Sequence, residues 1–527
     1  MTTDLVIPEF IMYSTGLTKE EMQYLRQAAD AQSGSGKDRF RLFTDVLIDF
    51  IENETWEEAS SDMLAMCGKA SYLRGRYDLN NTLSKGCQNL ACRGYAAAAF
   101  CKQSLDPRWL NNLRNYVNHA WQSNRYIVFA ELIGKISEVL MNLGYADQAR
   151  TIAEDGIERV TAVTTADENL RTTVQAALLE TRLTLAHLAG LAKKRDEAIL
   201  RLNSAEETAK LLDHVLALTD ITYYRANVLT YSHEYEKSLS YLRACIGKYE
   251  RMGVLQGVAN ARNLRGIIYL NLGQLQDARD QFEELLLVQQ ELNNQVGLAK
   301  TLINVGEVDR SLGQLSQMES YNKRALEISQ EAEYMRGMAV AKANLGDVAL
   351  RKGDFGKAIG LYKEVIELTD RAGLLAIHMG VLFQLGDTHH LQCNMNLAIG
   401  SYSRARRVAE EILYPLALFH ADVSELISRL ETDAKPPSEL IKKIQDRIPD
   451  LEVWVRAGNS SPMIEVRRTV FDDDSIDSDL CIFYDPEKNY ECRVERTSLE
   501  KECFGNLYWM GGLCPYFKDF LDVLESL

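Results

Sequence analysis

The stretch Gly346-Asp-Val-Ala-Leu-Arg-Lys-Gly353-Asp-Phe-Gly-Lys-Ala358-Ile-Gly-Leu-Tyr362 decides how the chain is read. Gly346 lies inside a helical run, where glycine lowers helix propensity, so another backbone is expected to pass close to it. Gly353 stands where that helix should end and the chain turn, a position suited to left-handed backbone angles. Ala358 then lets a second helix pack back on the first, and Tyr362 fills the space between neighbouring hairpins. Outward from this copy the pattern recurs every 40 residues. Gly266, Gly306, Gly346 and Gly386 form one series; Gly273, Gly313 and Gly353 form a second, which lapses at Cys393. Ala278, Met318, Ala358 and Ala398 form a third, with Phe282 and Tyr402 matching Tyr362. Backwards, Ala226 and Ala186 take the mid-helix position, with Ser238 and Ala198 at the alanine position. A fixed period of this size means stacked helical hairpins, each burying its apolar face on its neighbours.

The combination of a small residue and, seven residues on, Gly-x-Φ-x-x-Ala resembles the tetratricopeptide repeat, with Gly346 to Tyr362 as the best copy. The usual period of that family is about 34 residues. The longer period here is similar to the repeats of Pins-type polarity adaptors and Rap-type bacterial signalling regulators. The resemblance is strong over residues 170–413. Gly144-Tyr-Ala-Asp-Gln-Ala149 repeats the turn-plus-alanine motif out of register, after which Thr164-Thr-Ala-Asp-Glu-Asn169 reads as an insertion. Gly68-Lys-Ala-Ser-Tyr-Leu-Arg-Gly75-Arg-Tyr77 keeps the seven-residue glycine spacing. The expectation is an all-α superhelical tetratricopeptide solenoid of antiparallel hairpins over residues 55–432, closed by a capping helix at 416–430. Two N-terminal helical stretches, at 18–31 and 38–52, precede it within residues 1–54.

Composition agrees. The 527 residues are 46% hydrophobic and 25% charged, as in a folded globular protein. None of the nine prolines falls between Pro107 and Pro415, which a long helical array permits because proline breaks helices. Six lie in the last 95 residues, where Leu451-Glu-Val-Trp-Val-Arg456 and Met463-Ile-Glu-Val-Arg-Arg-Thr-Val-Phe471 alternate like strands. A boundary near Asp433-Ala-Lys-Pro-Pro437 is therefore expected, with residues 433–527 forming a small α+β domain. That segment carries 20 acidic and 12 basic residues, half of the net charge of −16, so a basic partner suits it. The overall acidity argues against a nucleic-acid binder. No run approaches the roughly 20 apolar residues of a membrane helix. The opening residues lack a signal-peptide pattern, so a cytoplasmic protein with reduced thiols is expected.

The first helices of successive hairpins line the concave face, which suits an extended or helical peptide. At spacing i, i+4, i+7, one face reads Lys300-Asn304-Glu307, then Val340-Asn344-Asp347 with Arg351, then Gly380-Gln384-Asp387. The side-chain amides of Asn304, Asn344 and Gln384 can pair with a peptide backbone's donor and acceptor together. In the resembled family an asparagine two residues before the small residue contacts bound peptide, and Asn304 and Asn344 match that position. The basic residues Lys300, Arg310 and Arg351 alternate with Glu307, Asp347 and Asp387. That mixture departs from the family's carboxylate clamp and points to a ligand carrying both signs.

No catalytic or metal constellation emerges. His389-His390 are adjacent and point different ways on a helix. Cys481, Cys492, Cys503 and Cys514 are spaced evenly by 11, unlike the close pairs of a zinc module. Asp472-Asp-Asp-Ser-Ile-Asp-Ser-Asp479 lacks the glycine and closing glutamate of a calcium loop. No P-loop, nucleotide fingerprint or nucleophile elbow is present. The closing Pro515 to Leu527 reads as an amphipathic helix. The reading is a non-catalytic adaptor without cofactor that binds a peptide or helix of a partner. A peptide-gated regulator of the Rap type and an enzyme with activity in the tail are the alternatives.

Overall fold

The computed structural model describes residues 7, 9–10, 16–32, 38–53, 56–103, 107–142, 145–164, 167–192, 194–232, 234–412, 414–430, 437–451, 484–485 and 491–492. They fall into two compact units, residues 1–312 with 331–334, and residues 313–330 with 335–527.

The first unit opens with α1 (Lys19–Gln32), α2 (Arg39–Asn53), α3 (Ser61–Leu73), α4 (Tyr77–Gly86), α5 (Leu90–Gln103), α6 (Pro107–Gln122), α7 (Tyr126–Asn142), α8 (Ala146–Thr164) and the short α9 (Glu168–Ala177). Regular pairs follow: α10 (Leu179–Leu191) with α11 (Arg195–Leu211), α12 (Val215–Tyr231) with α13 (Tyr235–Met252), and α14 (Leu255–Asn271) with α15 (Leu275–Glu291), then α16 (Gln295–Ser311). The second unit holds α17 (Leu315–Glu331), α18 (Met335–Arg351), α19 (Phe355–Ala372), α20 (Leu375–Leu391), α21 (Met395–Glu411), α22 (Pro415–Leu430) and α23 (Ser438–Leu451). The two N-terminal helices lie where the sequence places them, and α9 begins at the end of the insertion expected at 164–169.

The 40-residue register has a different cause from the close backbone expected: at Gly346 and Gly386 the aromatic ring of the paired helix takes the space. Where Gly346 and Gly386 stand, a Cβ would come within 2.5 Å of the Tyr362 ring and 2.4 Å of the Tyr402 ring. Both rings are fully buried, each contributing about 1.5–3 kcal/mol by leaving water. Ala198, Ser238, Ala278, Met318, Ala358 and Ala398 are likewise fully buried. The hairpin turns at Gly273, Gly313 and Gly353 have φ of 72°, 70° and 76°, and Cys393 takes the same conformation at 59°. A second series, at the turns between pairs, also adopts positive φ: Asp213, Gly253, Asn293, Glu333 and Gly373. Side-chain caps help these turns: Asn294 Oδ1 accepts from the Gly297 amide at 2.9 Å, and Asp354 Oδ1 from that of Lys357 at 3.0 Å.

The first unit also closes on itself. Arg74, just after α3, donates from Nε to the Gly253 carbonyl at 2.9 Å, while Nη1 reaches Thr44 Oγ1 at 2.8 Å and Asp45 Oδ1 at 2.5 Å. Tyr77 Oη donates to Gln256 Oε1 at 3.4 Å, and Arg41 Nη1 to the Glu250 carbonyl at 3.4 Å. The front of the chain thus meets the α13–α14 turn.

At the other end, two expectations change. The helix at 415–430 does not cap the array: α23 continues past the expected boundary and buries Leu440, Ile441 and Ile444 in the same core as α22. Of the expected α+β domain the described residues contain only α23 and two two-residue strands, Tyr484–Asp485 paired antiparallel with Glu491–Cys492. The segments 451–456 and 463–471, the aspartate tract, Cys481, Cys503, Cys514 and the closing helix lie outside the described residues, apart from Leu451.

Candidate functional site

A cavity of about 150 Å³ lies inside the first unit, among α3, α5, α7, α10, α12, α13 and α14. Three repeats each contribute a polar residue from the same register position to its wall. Glu180, Asp220 and Asn260 stand 40 residues apart on α10, α12 and α14, and all three line it. Lys300 holds the next step on α16. The face inferred from Lys300 and Asn304 therefore runs back through three earlier repeats, where the step from Lys300 leads to these side chains. The opposite wall comes from Lys69 on α3, Lys102 on α5 and Lys135 on α7, a step of 33 residues outside the 40-residue register.

The lysines are matched to carboxylates. Lys69 Nζ lies 2.5 Å from Glu131 Oε1, Lys102 Nζ 2.9 Å from Glu138 Oε1, and Lys135 Nζ 2.5 Å from Glu180 Oε2. The Lys135 side chain is only 4% exposed. Charges this deep are tolerated because each is paired and hydrogen-bonded. Lys102 and Lys135 also sit over the Tyr72 ring, 4.8 and 4.3 Å from its centroid, and the Tyr72 hydroxyl donates to Glu138 Oε2 at 3.3 Å. Burial works against the Glu138 carboxylate, but the two lysines outweigh it and hold its pKa below the usual range.

Asp220 faces this cluster from α12. Its Oδ1 accepts from the Tyr249 hydroxyl at 2.6 Å, and burial raises its carboxyl to about 7. Tyr223 and Tyr224, edge to face at 5.2 Å, complete the wall. Of the tyrosines that cluster in this hairpin, these two face the cavity, whereas Tyr231 and Tyr241 are exposed. Glu9 closes one end: its Oε1 accepts from the Leu216 amide at 3.1 Å and lies 3.3 Å from His214 Nδ1. Burial keeps His214 neutral, down to about 3, and raises Glu9.

The residues singled out on the concave face fall in both units. In the first, Lys300 is exposed, with Nζ 5.6 Å from the Tyr334 ring centroid. Asn304 donates from Nδ2 to Asn263 Oδ1 at 2.9 Å, which leaves its carbonyl and a second N–H outside that bond. Glu307 Oε2 accepts from Arg310 Nε at 2.8 Å. In the second, Asn344 donates to Oδ1 of the buried Asn322 at 3.1 Å. Asp347 is buried and accepts from Arg351 Nε at 3.0 Å. Gln384 Oε1 is buried and has no partner among the described residues. Asp387 Oδ1 accepts from the Tyr402 hydroxyl at 2.8 Å, and burial raises its carboxyl to about 6. Within this set Glu307 bonds to Arg310 and Asp347 to Arg351, whereas Asn304, Asn344 and Asp387 bond to side chains outside it. His390 bonds through Nδ1 to Ser428 Oγ at 3.0 Å.

The tetratricopeptide repeat family model matches residues 257–331 and 297–371. The chain carries tetratricopeptide repeats. No curated protein matches its sequence. Among solved structures, it is similar to a Rap protein crystallised with competence and sporulation factor, at 14% identity over 65% of this chain and 96% of that one, with a TM-score of 0.44. Aspartyl phosphate phosphatase F from Bacillus subtilis is similar at 15% identity over 64% of this chain and 90% of that one, with a TM-score of 0.43. A signal transduction ATPase with numerous domains from Pyrococcus horikoshii, which has a tetratricopeptide repeat sensor, is similar at 12% identity over 85% of this chain and 72% of that one, with a TM-score of 0.44. No helix among the described residues is long and apolar enough to cross a membrane.

Proposed function

We propose that this tetratricopeptide-repeat chain is a non-catalytic interaction protein that recognises a peptide or helical segment of a partner on the inner face of its first helices. One observation carries the reading: Glu180, Asp220, Asn260 and Lys300 present one polar side chain per repeat on that face, and three of them line a cavity holding both signs of charge. A ladder of this kind reads an extended ligand one element per repeat. Lys300, Asn304, Glu307 and Arg310 in the first unit, and Asn344, Asp347, Arg351, Gln384 and Asp387 in the second, are the candidate peptide contacts.

A random peptide library panned on the full chain tests this, with Asn304→Ala/Asn344→Ala and Asp220→Asn variants as counter-selections. Enriched peptides that fail to bind either variant support the inner face. Enrichment indifferent to all three substitutions moves recognition to another surface.

The closure of the first unit favours a second reading, a regulator whose ligand changes its compactness. The contacts from Arg74 to Gly253 and from Tyr77 to Gln256 border the same helices that line the cavity. Under that reading, an enriched peptide shifts the radius of gyration in X-ray scattering, and the shift disappears in Arg74→Ala. An acidic C-terminal domain from residue 433, with a basic partner, completes the proposed organisation.

A further inference from the structure

The cavity of the first unit is not charge-balanced. Glu131, Glu138 and Glu180 each have a lysine, and Glu9 is held by the Leu216 amide. Asp220 is the carboxylate left over. Tyr249 donates to it, yet no lysine or arginine forms an ion pair with it among the described residues. It is half-buried, and desolvation raises its carboxyl to about 7. Beside it stand Tyr223, Tyr224 and Tyr249, which line the same space. A half-buried carboxylate with no ion-pair partner leaves room for a counter-ion, and aromatic faces attract cations through their quadrupole. Both features ask for a positive charge from outside the chain.

Size narrows the class. A cavity of about 150 Å³ admits a benzene-sized group in engineered cases, which is one side chain and not a folded element. Gln256 and Asn260 also line it; Gln256 Nε2 donates to Asn260 Oδ1 at 2.9 Å, and an amide oxygen has a second lone pair that can accept from a planar cation.

We propose that the cavity takes one organic cation, a guanidinium or primary ammonium on a short aliphatic stem, with Asp220 as its counter-ion. Such a group arrives either on a free amine or as a basic side chain of a bound peptide. The second source rests on the peptide-recognition reading above; the first does not.

The test is titration calorimetry on the full chain at about pH 8, where Asp220 is ionised. The probes are agmatine, the blocked peptide acetyl-Ala-Arg-Ala-amide, and its citrulline counterpart, which keeps the shape and loses the charge. Agmatine, the arginine peptide or both are expected to bind, and the citrulline peptide is not. Asp220→Asn, which keeps an acceptor for Tyr249, should weaken binding about thirty-fold or more, as expected when one partner of a desolvated charge pair is removed. Agmatine binding without the peptide assigns a free amine, and tighter peptide binding assigns a side chain. Absence of binding by both charged probes, or equal binding of the citrulline peptide, overturns the proposal with no variant needed. Unchanged affinity in a folded Asp220→Asn protein overturns it as well. Failure of the library panning with agmatine still bound would sink the peptide reading and leave the cation site standing.

Discussion

Asp220 in the first unit and Asp387 in the second are both half-buried carboxylates on first helices, both accept a hydrogen bond from a tyrosine, and both are raised above their ordinary range. They differ in what surrounds that bond. Tyr402 lies with its ring on Gly386, the residue before Asp387, so the carboxylate anchors an aromatic that fills the hairpin. Tyr249 is packed as closely, its ring within 2.4 Å of where a Cβ on Gly257 would stand, but it also lines a cavity, which Asp220 borders together with three lysine–glutamate pairs. The same repeat scaffold uses a half-buried acid as a packing brace in one unit and as part of a polar wall in the other. The brace should therefore be felt mainly in stability and the wall mainly in binding.

The strongest break of this contrast is Gly346→Leu. Its Cβ would meet the Tyr362 ring at 2.5 Å, so overpacking should destabilise the second unit by roughly 1–3 kcal/mol. Differential scanning calorimetry should show a lowered transition assignable to that unit. An unchanged profile would mean that the 40-residue register does not mark the helix crossing.

Next in size is Tyr402→Phe, which strips the hydroxyl from Asp387. Loss of a hydrogen bond to a half-buried carboxylate should cost about 1.5–3 kcal/mol by urea denaturation at pH 8. Tyr249→Phe makes the matching change at Asp220. A smaller loss there would sharpen the contrast, since a carboxylate bordering a cavity has solvent to replace the tyrosine; an equal loss would erase it.

The pH dependence comes third. A carboxyl whose folded pKa lies above its unfolded value of about 3.9 favours folding when protonated. Its contribution is fully present below the unfolded pKa and fades as pH rises through the folded pKa, about 7 for Asp220 and about 6 for Asp387. The stability difference between wild type and Asp220→Asn, followed by urea denaturation from about pH 4 to 8, should thus move in the variant's favour as pH rises, and level off only past 7. The corresponding difference for Asp387→Asn should level off about one unit lower. Flat differences would show that neither acid titrates in that window.

Asn304→Ala is expected to do least. It removes one neutral bond to Asn263, worth about 1 kcal/mol or less on a half-solvated face.

The helical pairs were legible because the residues that enforce them are chemically narrow. Only glycine fits beneath the rings of Tyr362 and Tyr402, and only small or slender side chains fit at Ala278, Met318 and Ala358. The turns between pairs were not legible, although they too recur every 40 residues. Asp213, Gly253, Asn293, Glu333 and Gly373 share a left-handed backbone and no common side chain, so the sequence shows no ladder there. The cavity was half legible. Stepping back from Lys300 by the known period gives Asn260, Asp220 and Glu180, and that signal lay in the register already found. Lys69, Lys102 and Lys135 had no such cue, because the helices carrying them lie outside the 40-residue register, although α7 packs directly against α10. The capping helix was misplaced because the prolines near 436 suggested an end, whereas α23 starts just after them, where proline is tolerated.

The contact from Arg74 to the Gly253 carbonyl spans 179 residues of chain. Repeat arrays usually assemble by adding each hairpin to the one before, with only neighbour contacts to satisfy. The first unit cannot finish that way. During synthesis its leading helices must wait until the α13–α14 turn has emerged before Arg74 finds its acceptor, and loop closure over that length adds an entropic barrier that the later hairpins do not face. The leading third of the chain is therefore made early and completed late.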